Sequence, residues 1–381
     1  MKCLSLFANV GIGETYFKDI GINVVIANEF LADRAAFYQE MHPESKMICG
    51  DITDPAIFDN VIQESRAAGV EFIMATPPCQ GMSIAHAKRA EKDDPRNSLI
   101  KRVVRATKEL KPKYVLVENV RGMASDKTVI LDDEGREVNI MPYLESVLGQ
   151  DYNISYKVLN AADYNTPHFR DRLITLLSRR DQPIWKHPKP NAEHITVRDV
   201  IGDFPSLESE QDSDIKWHSM KHKKHNKHHI KWMQHTPTGA TAFNNKIYFP
   251  KIIDKKTCKM RPISGFKTTY KRMDWNRPAP AVTMMNGSIN SQNNVHPGRR
   301  DQDGLYSDAR VLTIKELCAI VGLPLDWVDH LEHTQQRENF LRKVLGECFP
   351  PMMAKAIVSN IPKQKEMSYG DTETNRSRPQ G

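Results

Sequence analysis

Over residues 1–180 short apolar runs alternate with stretches of helical periodicity, and nothing else in the chain restricts its architecture as much. CLSLFA (3–8), NVVIANE (23–29), MICGDI (47–52), EFIMA (71–75) and YVLVENV (114–120) read as strands, and strand-like YKVLNAADY (156–164) and RLITLLS (172–178) complete the series. Between them GETYFKDIG (13–21), RAAFYQEMH (34–42), DPAIFDNVIQESRAAG (54–69) and SLIKRVVRATKEL (98–110) read as helices. The alternation predicts an α/β fold with a doubly wound, mostly parallel sheet. From about residue 183, prolines, Asp/Ser-rich loops and HSMKHKKHNKHHIKW (218–232) break the rhythm. Helical pattern returns at TIKELCAIVGLP (313–324) and FPPMMAKAIVSNI (349–361). The expected organisation is a first domain over 1–180, a smaller second domain over 181–305, supporting helices over 306–362 that return to the first domain, and a disordered polar tail over 363–381.

The net charge of +7 is unevenly placed. Residues 181–300 hold 21 Lys+Arg and 10 Asp+Glu, a net +11, which leaves −4 for the remainder. A basic segment on a mildly acidic body suits a polyanion, although a solvated lysine-rich insert has the same composition. The six cysteines form no CxxC pair, which argues against a zinc site or a disulfide framework and for free thiols in a reducing cytoplasm. The HKKHNKHH run lacks paired cysteines or carboxylates, so a phosphate-contacting loop is expected there and no metal. MKCLSLFANVGIGE lacks the apolar core of a signal peptide, and no run of eighteen apolar residues exists. A soluble, cytoplasmic, monomeric protein without membrane contact is expected.

ATPPCQGMS (75–83) places Cys79 behind two prolines, at the C-terminal end of a short strand. The prolines fix two φ angles and supply no donors, so neither a helix nor a central strand passes through. The thiol is therefore presented on a stiff loop. The same sheet edge should carry a cofactor, because doubly wound folds bind ligands there. The first turn, LFANVGIGE (6–14), has glycines at 11 and 13 only and is not the GxGxxG phosphate fingerprint. Glu29 ends the second strand and Asp51 the third, placed to accept ribose hydroxyls and an adenine amino group. No P-loop follows, which favours a ligand without a phosphate cluster, such as S-adenosylmethionine; ordinary strand-end caps are the alternative.

The order LFANVGIGE, ANEF, GDI, PPCQGMS, ENVRGM, HFRDRL, RVLTIKELCAIVGLP and LGECFPPMMAKAI resembles the DNA (cytosine-5)-methyltransferases of bacterial restriction-modification systems. The Pro-Cys-Gln and Glu-Asn-Val elements together carry the resemblance. It implies the S-adenosylmethionine-dependent methyltransferase fold, with 1–180 catalytic and 181–305 the target-recognition domain. Cys79 would add to carbon 6 of a flipped-out cytosine, which makes carbon 5 nucleophilic toward the donor's methyl group. Glu118 would stabilise charge at ring nitrogen 3, and Arg170 and Arg172 would polarise the carbonyl at position 2. The donor pocket would comprise Phe7, Asn9, Gly11, Ile12, Glu29, Phe30, Asp51, Ile52, Pro78, Leu99, Glu347 and Cys348. Duplex DNA would be held by Gln80 and Ser83 beside the nucleophile, by Lys223, Lys224 and Lys227 on phosphates, and by Arg272 and Arg277 on bases. A cognate endonuclease would act separately.

Three positions depart from the family pattern, which usually has glycine, glutamine and asparagine where Asn9, His168 and Glu347 stand. Glu347 puts a carboxylate near the donor's own carboxylate, unless a cation or a turned rotamer relieves it. An RNA or transfer-RNA cytosine-5 methyltransferase of the same fold, and a non-catalytic DNA-binding relative, are the alternatives. The long basic insert favours duplex DNA over RNA, and an intact Cys79 and Glu118 argue against loss of catalysis.

Overall fold

The computed structural model describes residues 1–78, 98–254, 257–264 and 267–363; the tail expected over 363–381 therefore falls almost wholly outside the described residues. The elements run β1 (Lys2–Leu6), β2 (Asn23–Glu29), α1 (Ala32–Met41), β3 (Lys46–Cys49), α2 (Pro55–Ala68), β4 (Phe72–Ala75), α3 (Ile100–Leu110) and β5 (Tyr114–Asn119). A small hairpin, β6 (Val129–Leu131) and β7 (Glu137–Asn139), leads into α4 (Ile140–Leu148), followed by β8 (Tyr152–Asn160) and β9 (Asp171–Arg179). The basic window contains α5 (Val197–Ile201), α6 (Lys227–Gln234) and a hairpin of β10 (Lys251–Ile253) and β11 (Met260–Pro262). Then come α7 (Ile314–Val321), α8 (Gln335–Glu347) and α9 (Pro351–Ser359).

Among the described residues seven strands form one sheet, ordered β3-β2-β1-β4-β5-β9-β8. β3, β2, β1, β4 and β5 pair in parallel, and β9 and β8 are added antiparallel. The winding reverses at β1, between β2 and β4, so the chain leaves the sheet in opposite directions and a crevice opens at the C-terminal strand ends. Apolar strand faces explain the rest. Phe58, Val61, Val103 and Leu144 of α2, α3 and α4 cover one face, and Phe17, Tyr38, Trp185 and Met353 cover the other. α2 begins sharply because the Asp54 carboxylate accepts from the Ala56 N–H at 2.8 Å with Pro55 in the first turn, and it ends at left-handed Gly69.

One stretch differs from the sequence expectation, and one helix among those expected over 306–362 has no pattern of its own to mark it. GETYFKDIG is two separate 3-10 turns, Ile12–Glu14 and Lys18–Ile20, rather than an α-helix. Between these turns and the sheet the Glu14 carboxylate points inward, accepting from Ser5 Oγ and from Tyr38 Oη (2.5 Å). The helix α8, QQRENFLRKVLGE, shows no clear apolar stripe because part of its buried face is charged. Arg342 and Glu338 pair there at 2.9 Å with both side chains nearly inaccessible.

Buried ionisable groups give the fold a pH dependence with a definite sign. Arg310 lies fully buried between Glu316 (2.8 and 3.0 Å) and Asp308 (2.7 Å); His296 and Arg310 hold the Asp308 carboxyl, and Arg310 and His296 the Glu316 carboxyl, below their usual range despite burial. Burial pushes His168 to about 3, His225 to about 4 and His296 to about 3. Burial raises Glu14 to about 7. Burial also lowers His42, His187, His218 and His229, so unfolding between pH ~4.5 and ~6.5 takes up more protons on the histidines than Glu14 releases. Stability should rise with pH across this window, by about 1.4 kcal/mol per unit for each net proton taken up. Below pH ~4 the stabilisation from Asp308 and Glu316 is lost as well. Urea midpoints are expected to fall between pH ~6.5 and ~5; an unchanged or higher midpoint would contradict these assignments.

Candidate active site

Three strand ends build the crevice. After β1 the chain turns through Phe7 (φ 59) and Asn9 (φ 51), both left-handed, and then Gly11 (φ 75). A bulky residue such as Phe7 at positive φ is unusual, and strain of this kind gathers at functional sites. A Cβ on Gly11 would run into the His42 ring, so the turn needs glycine there. Glu29, at the tip of β2, fixes this turn: one carboxylate oxygen accepts the Asn9 N–H at 2.9 Å and the other the Leu31 N–H at 2.9 Å. Each oxygen keeps a second lone pair for a ligand hydroxyl. Phe30 follows with 64% of its surface exposed, an aromatic face without cover beside the crevice. Asp51, after β3, accepts from the Thr53 N–H and hydroxyl, both at 2.8 Å. Ile12 and Ile52 are buried in the flanking cores, and Leu99 packs at the edge. An adenosine with a free ribose fits these groups: two carboxylates to accept, one exposed ring to stack on and, among the described residues, no phosphate cradle.

The tips of β4 and β5 carry the expected chemistry. Thr76 Oγ1 donates to the Phe7 carbonyl at 2.9 Å, and Asn119 Nδ2 donates to the Pro77 carbonyl at 3.0 Å. The strand leading to Cys79 is thus tied to both neighbouring strand ends. Sequence reasoning passed over Thr76 and Asn119, although Asn119 sits inside the Glu-Asn-Val element. Cys79, Gln80 and Ser83 lie outside the described residues. Glu118 of β5 pairs with Ile174 across the β5–β9 ladder, which puts Arg172, two residues away, on its face of the sheet. Arg172 Nε contacts Glu118 Oε1 directly, with the two side chains only 12% and 10% exposed. A cation and a carboxylate are thereby held together at the strand tip, one residue before the Asn119 that holds the Pro77 carbonyl.

Arg170 does something else. It is buried, and its guanidinium donates to the main-chain carbonyls of Val282 (2.8 Å) and Gly346 (3.0 Å). It joins the start of β9 to two distant segments, which corrects its expected role against a bound base. A Cβ on Gly346 would collide with the Thr283 main chain, so these segments touch backbone to backbone. Cys348 likewise points its thiol inward, to the Leu345 carbonyl at 3.1 Å, and burial raises its pKa. Between them Glu347 reaches the β1 turn, where its Oε2 lies 3.4 Å from Asn9 Nδ2 and 2.6 Å from Arg34 Nη2. His168 is a neutral core residue whose Nδ1 bonds the Ile320 carbonyl at 3.0 Å.

A family model described as C-5 cytosine-specific DNA methylase matches residues 1–363. The chain belongs to this family. It is 40% identical over 362 residues to Type II methyltransferase M1.HgaI of Avibacterium volantium, across 94% of this chain and 97% of the relative. Against Type II methyltransferase M1.HphI of Haemophilus parahaemolyticus the identity is 28% over 368 residues, across 94% and 86%. Among solved structures, a prophage-encoded E. coli protein superposes with a TM-score of 0.66 at 20% identity, across 94% and 98%. A variant of Spodoptera frugiperda DNMT2 does so with 0.58 at 15%, across 95% and 99%. The α/β fold class and the enzyme class read from the sequence, a DNA cytosine methyltransferase, stand.

The basic window of this methylase redistributes the expected DNA contacts. Arg272 is 1% exposed and donates to the carbonyls of Met233, His296, Tyr306, Ser307 and Asp308 at 2.7–3.2 Å. It is a structural hub and does not read a base. Lys223 turns inward to Asn339 Oδ1 (2.9 Å) and Glu338, which removes it from the surface set. Lys224 stays exposed beside Glu210 at 3.5 Å, and Lys227 and Arg277 are exposed. Residues 246–271 carry eight cations and one acid, a net +7 that equals the charge of the whole chain. Ile253 and Met260 face each other across the β10–β11 hairpin there, 66% and 63% exposed.

Proposed function

We propose that the chain transfers the methyl group of S-adenosylmethionine to carbon 5 of a cytosine flipped out of a specific duplex DNA sequence. Cys79 forms the transient bond to carbon 6. The donor supplies an electrophilic methyl on a sulfonium centre. The chain's own residues do the rest: Glu29 and Asp51 accept from ribose and adenine, Phe7 and Phe30 flank the ring, and Glu118 holds a proton or hydrogen bond at nitrogen 3. Arg172 keeps Glu118 in place and faces the carbonyl at position 2. Asn119 and Thr76 hold the loop's entry rigid, so the thiol needs little reorganisation to reach the ring.

The observation that supports this reading best is the Glu118–Arg172 pair, largely buried at the tip of β5, where the next residue, Asn119, holds the Pro77 carbonyl at the entry to the Cys79 loop. Recognition by residues 181–305 rests on the net +7 of 246–271 together with Lys224, Lys227 and Arg277, and the role agrees with modification of DNA in a restriction-modification system. Incubating the protein with duplex DNA and donor, then digesting to nucleosides, should yield 5-methylcytosine; a parallel reaction on transfer RNA should yield none. Methylation of the RNA alone would favour the RNA enzyme.

Replacing Glu29 with Ala should raise the donor's dissociation constant roughly ten- to hundred-fold, because one charged acceptor is worth about 1.5–3 kcal/mol. Duplex affinity should stay near wild type. Calorimetry showing unchanged donor affinity would place the cofactor elsewhere.

A further inference from the structure

Glu347 stands where a carboxylate is least welcome, and a cation from another element accompanies it. The ribose acceptor is at the tip of β2 and the nucleophile's loop follows β4, so the amino-acid end of a bound donor lies over the β1 turn between them. Glu347 touches that turn through Asn9. Its position is imposed by its neighbours, since Arg170 holds Gly346, Gly346 packs on Thr283, and Cys348 is buried. The backbone that carries the carboxylate is therefore fixed beside the turn.

Arg34 meets it from α1 at 2.6 Å, with side chains 13% and 19% exposed, and in that setting solvent screens a charge pair only partly. Arg34 lies in the first turn of α1, where a cation opposes the helix dipole, so the helix itself gives no reason for its presence. A continuous set of contacts runs Arg34–Glu347–Asn9–Glu29 and joins α1, the end of α8, the β1 turn and the tip of β2. We propose that Arg34 is a positioning residue for the methyl donor: it keeps Glu347 as half of a neutral pair, which lets the donor's own carboxylate settle over the β1 turn. This inference rests on the donor reading above.

The test compares two ligands that differ in the amino-acid end. S-adenosylmethionine carries the carboxylate, and its decarboxylated form keeps the same nucleoside, sulfonium and ammonium without it. Calorimetry on the full chain should show Arg34→Met binding S-adenosylmethionine about ten-fold more weakly or worse, and the decarboxylated donor no more than about two-fold more weakly than wild type. Adding Glu347→Gln to Arg34→Met should recover most of the loss, because the unpaired carboxylate is then gone. Arg34→Lys, which keeps the charge, should retain most of the affinity and serves if Arg34→Met does not fold. Equal weakening of both ligands, no weakening of either, or no recovery in the double variant would overturn the inference and assign Arg34 a merely structural tie. A wild-type chain that binds neither ligand would instead overturn the donor reading, and this inference with it.

Discussion

Cys79→Ser is expected to lower methyl transfer below about one per cent of the wild-type rate while leaving donor and duplex affinity within a few-fold. A thiol is a few per cent thiolate near neutrality and can leave again once the methyl group is in place. A serine hydroxyl has neither property without a strong base beside it, and among the described residues the tips of β4 and β5 supply only Glu118, already paired with Arg172. The entry to the loop does not depend on the thiol, since it hangs on Asn119 and Thr76. Binding should therefore survive the substitution. A serine variant turning over above that level, measured by transfer of labelled methyl to duplex DNA, would remove Cys79 from the nucleophile's role.

The second large effect concerns folding. Arg272→Ala should destabilise the protein by about 4 kcal/mol or more, because a buried cation and its bonds to five carbonyls are lost together and those carbonyls stay buried. Gly298, left-handed and packed against the Arg272 guanidinium, leaves no side chain to fill the space. Arg277→Ala, on an exposed residue, should leave the melting temperature within about 1 °C, as most surface changes do. Thermal melts of the two variants decide the matter. If Arg272→Ala melts like wild type and loses only sequence preference, Arg272 reads bases after all.

The contrast between these two arginines shows what the sequence can express. The sheet was legible because parallel strands buried on both faces appear as unbroken apolar runs, and Glu29 and Glu118 were legible because each ends such a run. Arg272 was not, since spacing in a basic segment cannot say which cation turns inward to gather carbonyls. Arg170 misled for the same reason. Arg34 gave no local signal either, because its partner Glu347 comes from the far end of the chain and only the fold brings them together. The two 3-10 turns in 12–20 escaped as well, and Glu14 there looks like a solvent-facing helix residue until Ser5 and Tyr38 are seen to hold it.

Covalent capture on a fluorinated cytosine tests the central claim most directly. Fluorine at carbon 5 replaces the hydrogen that must leave after methyl transfer, so the bond from Cys79 to carbon 6 cannot be released. The wild-type chain, incubated with S-adenosylmethionine and a duplex carrying 5-fluorocytosine at its target, should run as a denaturation-resistant protein–DNA adduct, and peptide mapping should place the link at Cys79. Glu118→Gln should form the adduct far more slowly, and Cys79→Ser not at all. Absence of any adduct in the wild type under conditions where it methylates ordinary duplex, or an adduct that persists in Cys79→Ser, would contradict the account.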